Sequence, residues 1–349
     1  MKNKALPVDS AKRKKIAILT PTFDYYSGID RVAELQAINF SNKNDVTVFA
    51  LQGTIKPKGY SLDILGMPKS IFMQRIYRLF FFLDFFKIKK TAEKLKDCDI
   101  VISHFYPMNW IAGYARKKYG VRYVYHNHGI GYSGLFADFF EKIYMRLFSF
   151  FNKISLKNAD EAISISRFMQ SELKKETGID SKVVYNKIDT KKFKKKLDKN
   201  RIRNKLKIKS NEKLLLFVGR LSPHKNIHNL IKIFDMVNGK IPNSKLLIVG
   251  KPTFPDYFNR LNKSSNKNII FLEDVKDGEL PYYYSACDLY VTASLWEGFN
   301  LPLAEAQACG KKVVAFDVCS HPEIIKNGVL VKNGDLEGFA KAIIKLLNK

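Results

Sequence analysis

Glu297 and Glu305 stand eight positions apart in the stretch SLWEGFNLPLAEAQACG, residues 294–310. Gly298, Phe299, Asn300 and Leu301 fall between them, and Pro302 suits the first position of a helix running from about Pro302 to Ala308. In this reading the backbone N–H groups of 298–301 point at a helix entrance, where orphan donors and the helix dipole favour an anion. Glu297 precedes the helix and Glu305 falls in its first turn. A plainer reading of the same residues has Glu305 complementing the dipole and Glu297 as a solvated loop acid. Further back, FVGRLSPHKN sets Gly219 and Arg220 directly after an apolar run and Lys225 five residues beyond the arginine. An Arg fork and a Lys point charge on one loop can converge on an oligophosphate. Taken alone, the same pair reads equally as two solvated cations in a Lys-rich chain.

The elements that must carry these residues alternate in a regular way. Short apolar runs, IAILT (16–20), VTVFA (46–50), IVIS (100–103) and RYVY (122–125), recur between helical patterns in the first half. LLLFV (214–218), LLIVG (246–250), IIFL (269–272), LYVT (289–292) and VVAF (313–316) do so in the second. Near-continuous apolar strands separated by helices predict parallel sheets covered on both faces. The expected fold is α/β, with two doubly wound, Rossmann-like domains in series. Residues 1–187 form one domain, a Lys-dense junction covers 188–213 with a short helix near its end, and 214–349 form the other. Ligands of such sheets sit at the carboxyl ends of the strands, so two facing domains would enclose a cleft.

The formal charge of +27 attracts nucleic acid, anionic lipid or phosphorylated ligands, and composition does not choose among them. With 46% hydrophobic residues, 26 Phe and 17 Tyr, the chain can bury real cores. Cys98, Cys287, Cys309 and Cys319 show no CxxC pairing, which argues against disulfide or zinc frameworks and fits a reducing compartment. MKNKALPVDSAKRKK has no apolar core after its basic residues and does not read as a secretory signal. No run approaches the roughly 18 apolar residues of a membrane span.

From Arg220 to Gly310 the chain resembles the donor half of the family 4 glycosyltransferases, which have the two-domain GT-B fold. The segments that carry the likeness are FVGRLSPHK, IIFLEDV and DLYVTASLWEGFNLPLAEAQACG. The family's paired glutamates, seven residues between them, map onto Glu297 and Glu305. The resemblance implies that Glu297 bonds donor-sugar hydroxyls and Glu305 holds the nucleotide ribose. It implies that Arg220, Lys225 and the N–H groups around Gly298, Phe299, Asn300 and Leu301 neutralise the diphosphate, with Gly219 shaping the turn. It implies no bound metal and no cofactor besides the nucleotide-sugar co-substrate. Asn300 stands where relatives often carry a small residue and is expected to tune which sugar fits.

The likeness extends more loosely into the first half. PTFDYYSGIDRVAELQ resembles the family's first loop and helix: Gly28 and Arg31 match, and Ser27 replaces a Gly. Gly28 is expected near phosphate, and Arg31 near phosphate or acceptor. YGVRYVYHNHGIGYSG resembles the strand ending in an active-site histidine. His128, before Gly129, is favoured for that role, with His126 on the acceptor side and His104 structural. Ser166 and Asn186 match later landmarks, Lys187 stands where Gly is usual, and Glu273 occupies an expected Gly near the base pocket. Relatives usually continue past a last helix, here 335–348, with another that crosses back to the first domain.

SIFMQRIYRLFFFLDFFKIKKTAEKLK (70–96) and LFADFFEKIYMRLFSFFNKISLK (135–157) mix Phe with Lys and Arg. Each reads as one amphipathic helix, able to lie on anionic membrane or to bury its Phe stripe in a core. The combined expectation is a retaining hexosyltransferase using a UDP- or GDP-hexose on a lipid-linked glycan. It would work from the cytoplasm on the cytoplasmic face of the membrane, without nucleic acid. Rival readings are another GT-B enzyme, an epimerase or phosphorylase, and a non-catalytic basic protein binding lipid or nucleic acid.

Overall fold

The computed structural model describes residues 13–24, 27–129, 139–195 and 197–348. The first elements are β1 Lys15–Phe23, α1 Gly28–Ser41, β2 Asp45–Gly53, β3 Ser61–Ile64, α2 Ile71–Leu79, α3 Phe85–Lys94, β4 Ile100–Ser103, α4 Asn109–Tyr119 and β5 Arg122–Asn127. Then come α5 Phe139–Ser155, β6 Glu161–Ser164, α6 Arg167–Thr177, β7 Lys182–Val183 and α7 Asn200–Lys205. The rest comprises β8 Lys213–Val218, α8 Ile227–Lys240, β9 Ser244–Val249, α9 Pro255–Lys263, β10 Ile269–Leu272, α10 Leu280–Ala286, β11 Leu289–Thr292, α11 Leu301–Ala308, β12 Lys312–Phe316, α12 His321–Ile324, β13 Gly328–Val331 and α13 Leu336–Leu347. The chain divides into two compact units: Met1–His126 with Phe151–Ala162, and Asn127–Phe150 with Ile163–Lys349.

One sheet runs β3-β2-β1-β4-β5-β6-β7, the other β10-β9-β8-β11-β12-β13. The pairings along them are parallel, for example Ile18 opposite Val48 and Ile102, and Leu215 opposite Leu246 and Leu289. The chain order reverses between β1 and β4 in one sheet and between β8 and β11 in the other. These are the switch points at which doubly wound sheets hold ligands.

The run LLLF in β8 shows why the strands read as continuously apolar. Leu215 and Phe217 pack in one core with Phe234, Phe316 and Phe339. Leu214 and Leu216 pack in another with Tyr284, Tyr290 and Leu303. Alternate side chains point to opposite faces, and both faces are covered. The Lys-dense stretch 188–213 is anchored to the second of these cores by Phe193, Ile202 and Ile208. Arg203, in α7, is nearly buried; it pairs with Asp288 at 2.8 Å and donates to the carbonyls of Ala286, Lys209 and Glu212.

Several expected boundaries shift for local reasons. The segment 70–96 is two helices, because the Asp84 carboxylate caps α3 by accepting from Lys87 N at 3.0 Å and also takes the Tyr77 hydroxyl. A single turn of 3-10 helix at Phe81–Leu83 joins them. Residues 135–138 of the other aromatic segment lie outside the described residues, as do Tyr25, Tyr26 and 130–134 of the two glycine-containing loops. Strands β3, β6, β7 and β13 were not anticipated; each is only two to four residues long and lies toward a sheet margin.

Candidate active site

The second unit gathers the two acids and the basic loop at the carboxyl ends of β8 and β11. β8 ends at Val218, and Gly219 N bonds Val249 O at 2.9 Å. A β-carbon on Gly250 would stand 1.8 Å from the Gly219 carbonyl oxygen, so glycine there lets the two strand ends close up. The chain then turns through a single 3-10 turn at Pro223–Lys225, and Asn226 takes a left-handed conformation before α8. That turn swings Lys225 back over the strand end. Its ammonium lies 2.6 Å from Glu297 Oε1, and the two side chains are only 14% and 9% exposed. Burial is the largest single influence on Glu297 and opposes its ionisation, but the Lys225 charge and hydrogen bond together with nearby His321 and His224 hold the carboxyl below its ordinary value. Arg220 is exposed on the same turn.

Two histidines unremarked in the sequence complete this cluster. His224 bonds Ser222 Oγ at 3.1 Å, and its carbonyl accepts from Leu295 N. Burial, with Lys225 and Arg220 nearby, pushes its pKa down to about 3. His321 directs Nδ1 at the Phe316 carbonyl, 2.8 Å away, and Nε2 at Asn300 Nδ2, 2.9 Å away. A carbonyl only accepts and an amide nitrogen only donates, so His321 is the Nδ1–H tautomer. Burial lowers its pKa and keeps it neutral.

Asn300 is therefore fixed from both ends. Its Oδ1 accepts from Leu303 N at 3.3 Å and its backbone is left-handed, φ 62°. This cap starts α11 at Leu301 with Pro302 second, and Glu305 falls in the second turn rather than the first. Glu305 is 1% exposed and accepts from the Tyr284 hydroxyl at 2.9 Å. Tyr290, fully buried in β11, feels both acids: burial raises its pKa first, and the charges of Glu297 and Glu305 add to that. No sequence motif points to His321, whereas Tyr290 falls within DLYVTASLWEGFNLPLAEAQACG. The spacing of His224 beside Lys225 was a usable signal.

Gly298 meets the histidine loop. A β-carbon on it would come 3.0 Å from the His128 carbonyl oxygen, and Gly129, at φ +127°, faces the Trp296 ring. Ser166 Oγ donates to Gly298 O at 2.7 Å, and Ser320 Oγ to Glu297 O at 3.0 Å. His128, Glu297 and Gly298 thus belong to one packed assembly, with Phe299 buried beside them. Glu273, by contrast, is an exposed residue just past β10.

Gly28, Arg31 and His126 belong to the first unit. Ser27 stands in place of the family's Gly and caps α1 by accepting from Asp30 N at 3.5 Å. Gly28 opens that helix and Arg31 lies in its first turn. Asp30 is buried and accepts from Thr22 Oγ1 at 2.8 Å and Asp24 N at 2.9 Å. Burial pushes its pKa up to about 7. His126 stacks on His104, with ring centroids 4.8 Å apart.

Two doubly wound parallel sheets, one carrying a basic turn and paired acids at its switch point, are the architecture of the GT-B fold. Residues 26–192 match the model of the family described as Glycosyltransferase Family 4, and residues 198–349 that of Glycosyl transferases group 1. The chain belongs to the family 4 glycosyltransferases. It is 30% identical over 218 residues to the O-antigen chain mannosyltransferase RfbU of Salmonella typhimurium, covering 60% of this chain and 56% of that one. It is 27% identical over 268 residues to an Escherichia coli UDP-Gal:alpha-D-GlcNAc-diphosphoundecaprenol alpha-1,3-galactosyltransferase, covering 72% of this chain and 67% of that one. The chain thus spans a little over half the length of the first relative and two thirds of the second. Its fold matches that of HepE from Anabaena, solved with UDP and glucose, at a TM-score of 0.76 and 21% identity, over 97% of this chain and 90% of that one.

Proposed function

We propose that this chain is a retaining hexosyltransferase that moves a hexose from a nucleotide-diphospho-sugar to a lipid-linked glycan at an anionic membrane. The observation that carries the donor half is the enclosed Lys225–Glu297 pair at the β8–β11 switch point, with Arg220 on the same turn. Arg220, Lys225 and the N–H groups entering α11 at Gly298, Phe299, Asn300 and Leu301 hold the diphosphate. They stabilise the charge that grows on it as the sugar C1–O bond breaks. Glu297 takes sugar hydroxyls and Glu305 the ribose. His128 lies beside the sugar end, and Arg31, Gly28 and His126 serve the first unit's side. The acceptor oxygen joins C1 on the face the diphosphate leaves, and its proton passes to the departing phosphate oxygen. The reading needs no metal, because the two cations supply the positive charge.

The lipid-linked acceptor is supported by the name of the E. coli relative, a galactosyltransferase of a diphosphoundecaprenol-linked sugar. Membrane contact is supported by the first unit's α2–α3 face. Phe72, Leu83 and Phe86 are 69%, 70% and 77% exposed there, with Arg75, Arg78, Lys87, Lys89 and Lys90 in the same two helices and no described helix long and apolar enough to cross a bilayer. The test is transfer from UDP- or GDP-hexoses to undecaprenyl-diphosphate-linked GlcNAc, with the anomeric configuration of the product read by NMR. Transfer with retention is expected; hydrolysis or epimerisation of the donor alone would favour the rival GT-B chemistries.

A further inference from the structure

Gln36, on α1, reaches two stacked imidazoles inside the first unit. Its Nε2 lies 3.1 Å from His126 Nε2, and its Oε1 lies 3.1 Å from His104 Nε2. The rings stack at an interplanar angle of 28°. His104 is wholly enclosed and His126 nearly so, at the carboxyl ends of the adjacent strands β4 and β5. β4 also pairs with β1, and the switch point lies between them.

An amide oxygen can only accept and an amide nitrogen can only donate. His104 Nε2 must then carry a proton, and His126 Nε2 must carry a lone pair. We infer that Gln36 is a positioning residue that locks His104 as the Nε2–H tautomer and His126 as the Nδ1–H tautomer. One amide, reading both rings at once, makes the pair chemically unequal. His126 then carries its proton on Nδ1 and His104 on Nε2, so the two rings hold opposite polarity at corresponding nitrogens. Both rings stay neutral for a shared reason: burial pushes His126 down to about 4 and His104 well below its ordinary value, the neighbouring ring adding to the latter. This goes beyond the functional reading above and does not rest on it, since the tautomers are read from the polarity of the two Gln36 hydrogen bonds.

The test is a two-bond 1H–15N correlation spectrum of the full chain labelled at histidine, at pH 7.5, with the two rings assigned through His104→Asn and His126→Asn. The wild-type spectrum is expected to show His104 protonated at Nε2 and His126 at Nδ1. In Gln36→Glu the carboxylate can only accept, so His126 is expected to switch to the Nε2–H form. His321, whose Nδ1–H form is set by Phe316 and Asn300 in the other unit, reports that the rest of the chain is folded. Wild-type His126 protonated at Nε2 would overturn the inference, and that reading needs no variant to fold. Retention of the Nδ1–H form in a folded Gln36→Glu protein would overturn it too, because something other than Gln36 would then set the tautomer.

Discussion

Lys225 Nζ and Glu297 Oε1 lie 2.6 Å apart, each the nearest opposite charge to the other in a nearly closed site. The residues proposed to grip the two ends of one donor thus neutralise each other in its absence. A diphosphate must draw Lys225 away from a carboxylate, and the sugar hydroxyls must then satisfy the carboxylate left behind. Each half of the donor helps the other to bind.

This exchange gives the first prediction. Glu297→Gln frees Lys225 from its partner, so UDP or GDP alone should bind more tightly than to wild type. Transfer should fall by about 100-fold or more, since a misplaced sugar loses the orientation that catalysis depends on. Removing one member of a buried pair costs about 3–5 kcal/mol, so the ligand-free variant should also melt lower. Calorimetry with each nucleotide and a melting curve check these outcomes.

The close approach of the β8 and β9 ends gives the second. In Gly250→Ala the new carbon would meet the Gly219 carbonyl oxygen at 1.8 Å, and backbone on both sides must shift. Destabilisation of about 1–3 kcal/mol is expected from overpacking of this kind. The turn bearing Arg220 and Lys225 moves with it, so nucleotide affinity should fall while far-UV circular dichroism stays native. Unchanged affinity would separate this turn from donor binding.

Buried titrating groups set a pH dependence with two opposing parts. His126 and His224 have folded pKa values of about 4 and about 3, against about 6.5 in an unfolded chain. The unfolded state takes up their protons first, so stability is present above about pH 6.5 and is lost as pH falls toward the folded values. Asp30 has the opposite sign: at about 7 when folded, it keeps a proton that the unfolded chain releases near pH 3.9, so its contribution is lost as pH rises through 7. Asp30→Asn removes the opposing part. Its melting temperature should therefore fall more steeply than wild type between about pH 6.5 and 4.5, a comparison of slopes and not of absolute stability.

The exposed aromatic face of α2 and α3 gives the fourth. Flotation with vesicles containing phosphatidylglycerol should carry the wild-type chain upward, and salt should weaken the effect. Phe86→Ser and Phe72→Ser should each lower partition by about tenfold, the share of burying one large apolar side chain. Wild-type protein that stays at the bottom with anionic and neutral vesicles alike would remove the membrane from the proposal.

Legibility in the sequence followed locality. Parallel sheets, the strand-end turn at Gly219 and the entrance of α11 are written in runs of a few residues, and each was readable. The second-turn position of Glu305 was not, because the αL cap at Asn300 depends on His321, twenty-one residues away and without a motif. The break between α2 and α3 was missed because Asp84 acts through its capping geometry, while composition shows only one acid among many Phe. The Gln36 bridge joins residues 68 and 90 positions apart, and no local pattern reports it.

The most direct test of the central claim is calorimetric titration of wild type and Glu297→Gln with UDP-hexose, GDP-hexose, UDP and GDP. The expected result is that wild type binds one sugar nucleotide more tightly than its bare diphosphate, and that Glu297→Gln still binds the diphosphate but loses the preference for the sugar. Binding of none of the four, or an undiminished sugar preference in Glu297→Gln, would contradict it.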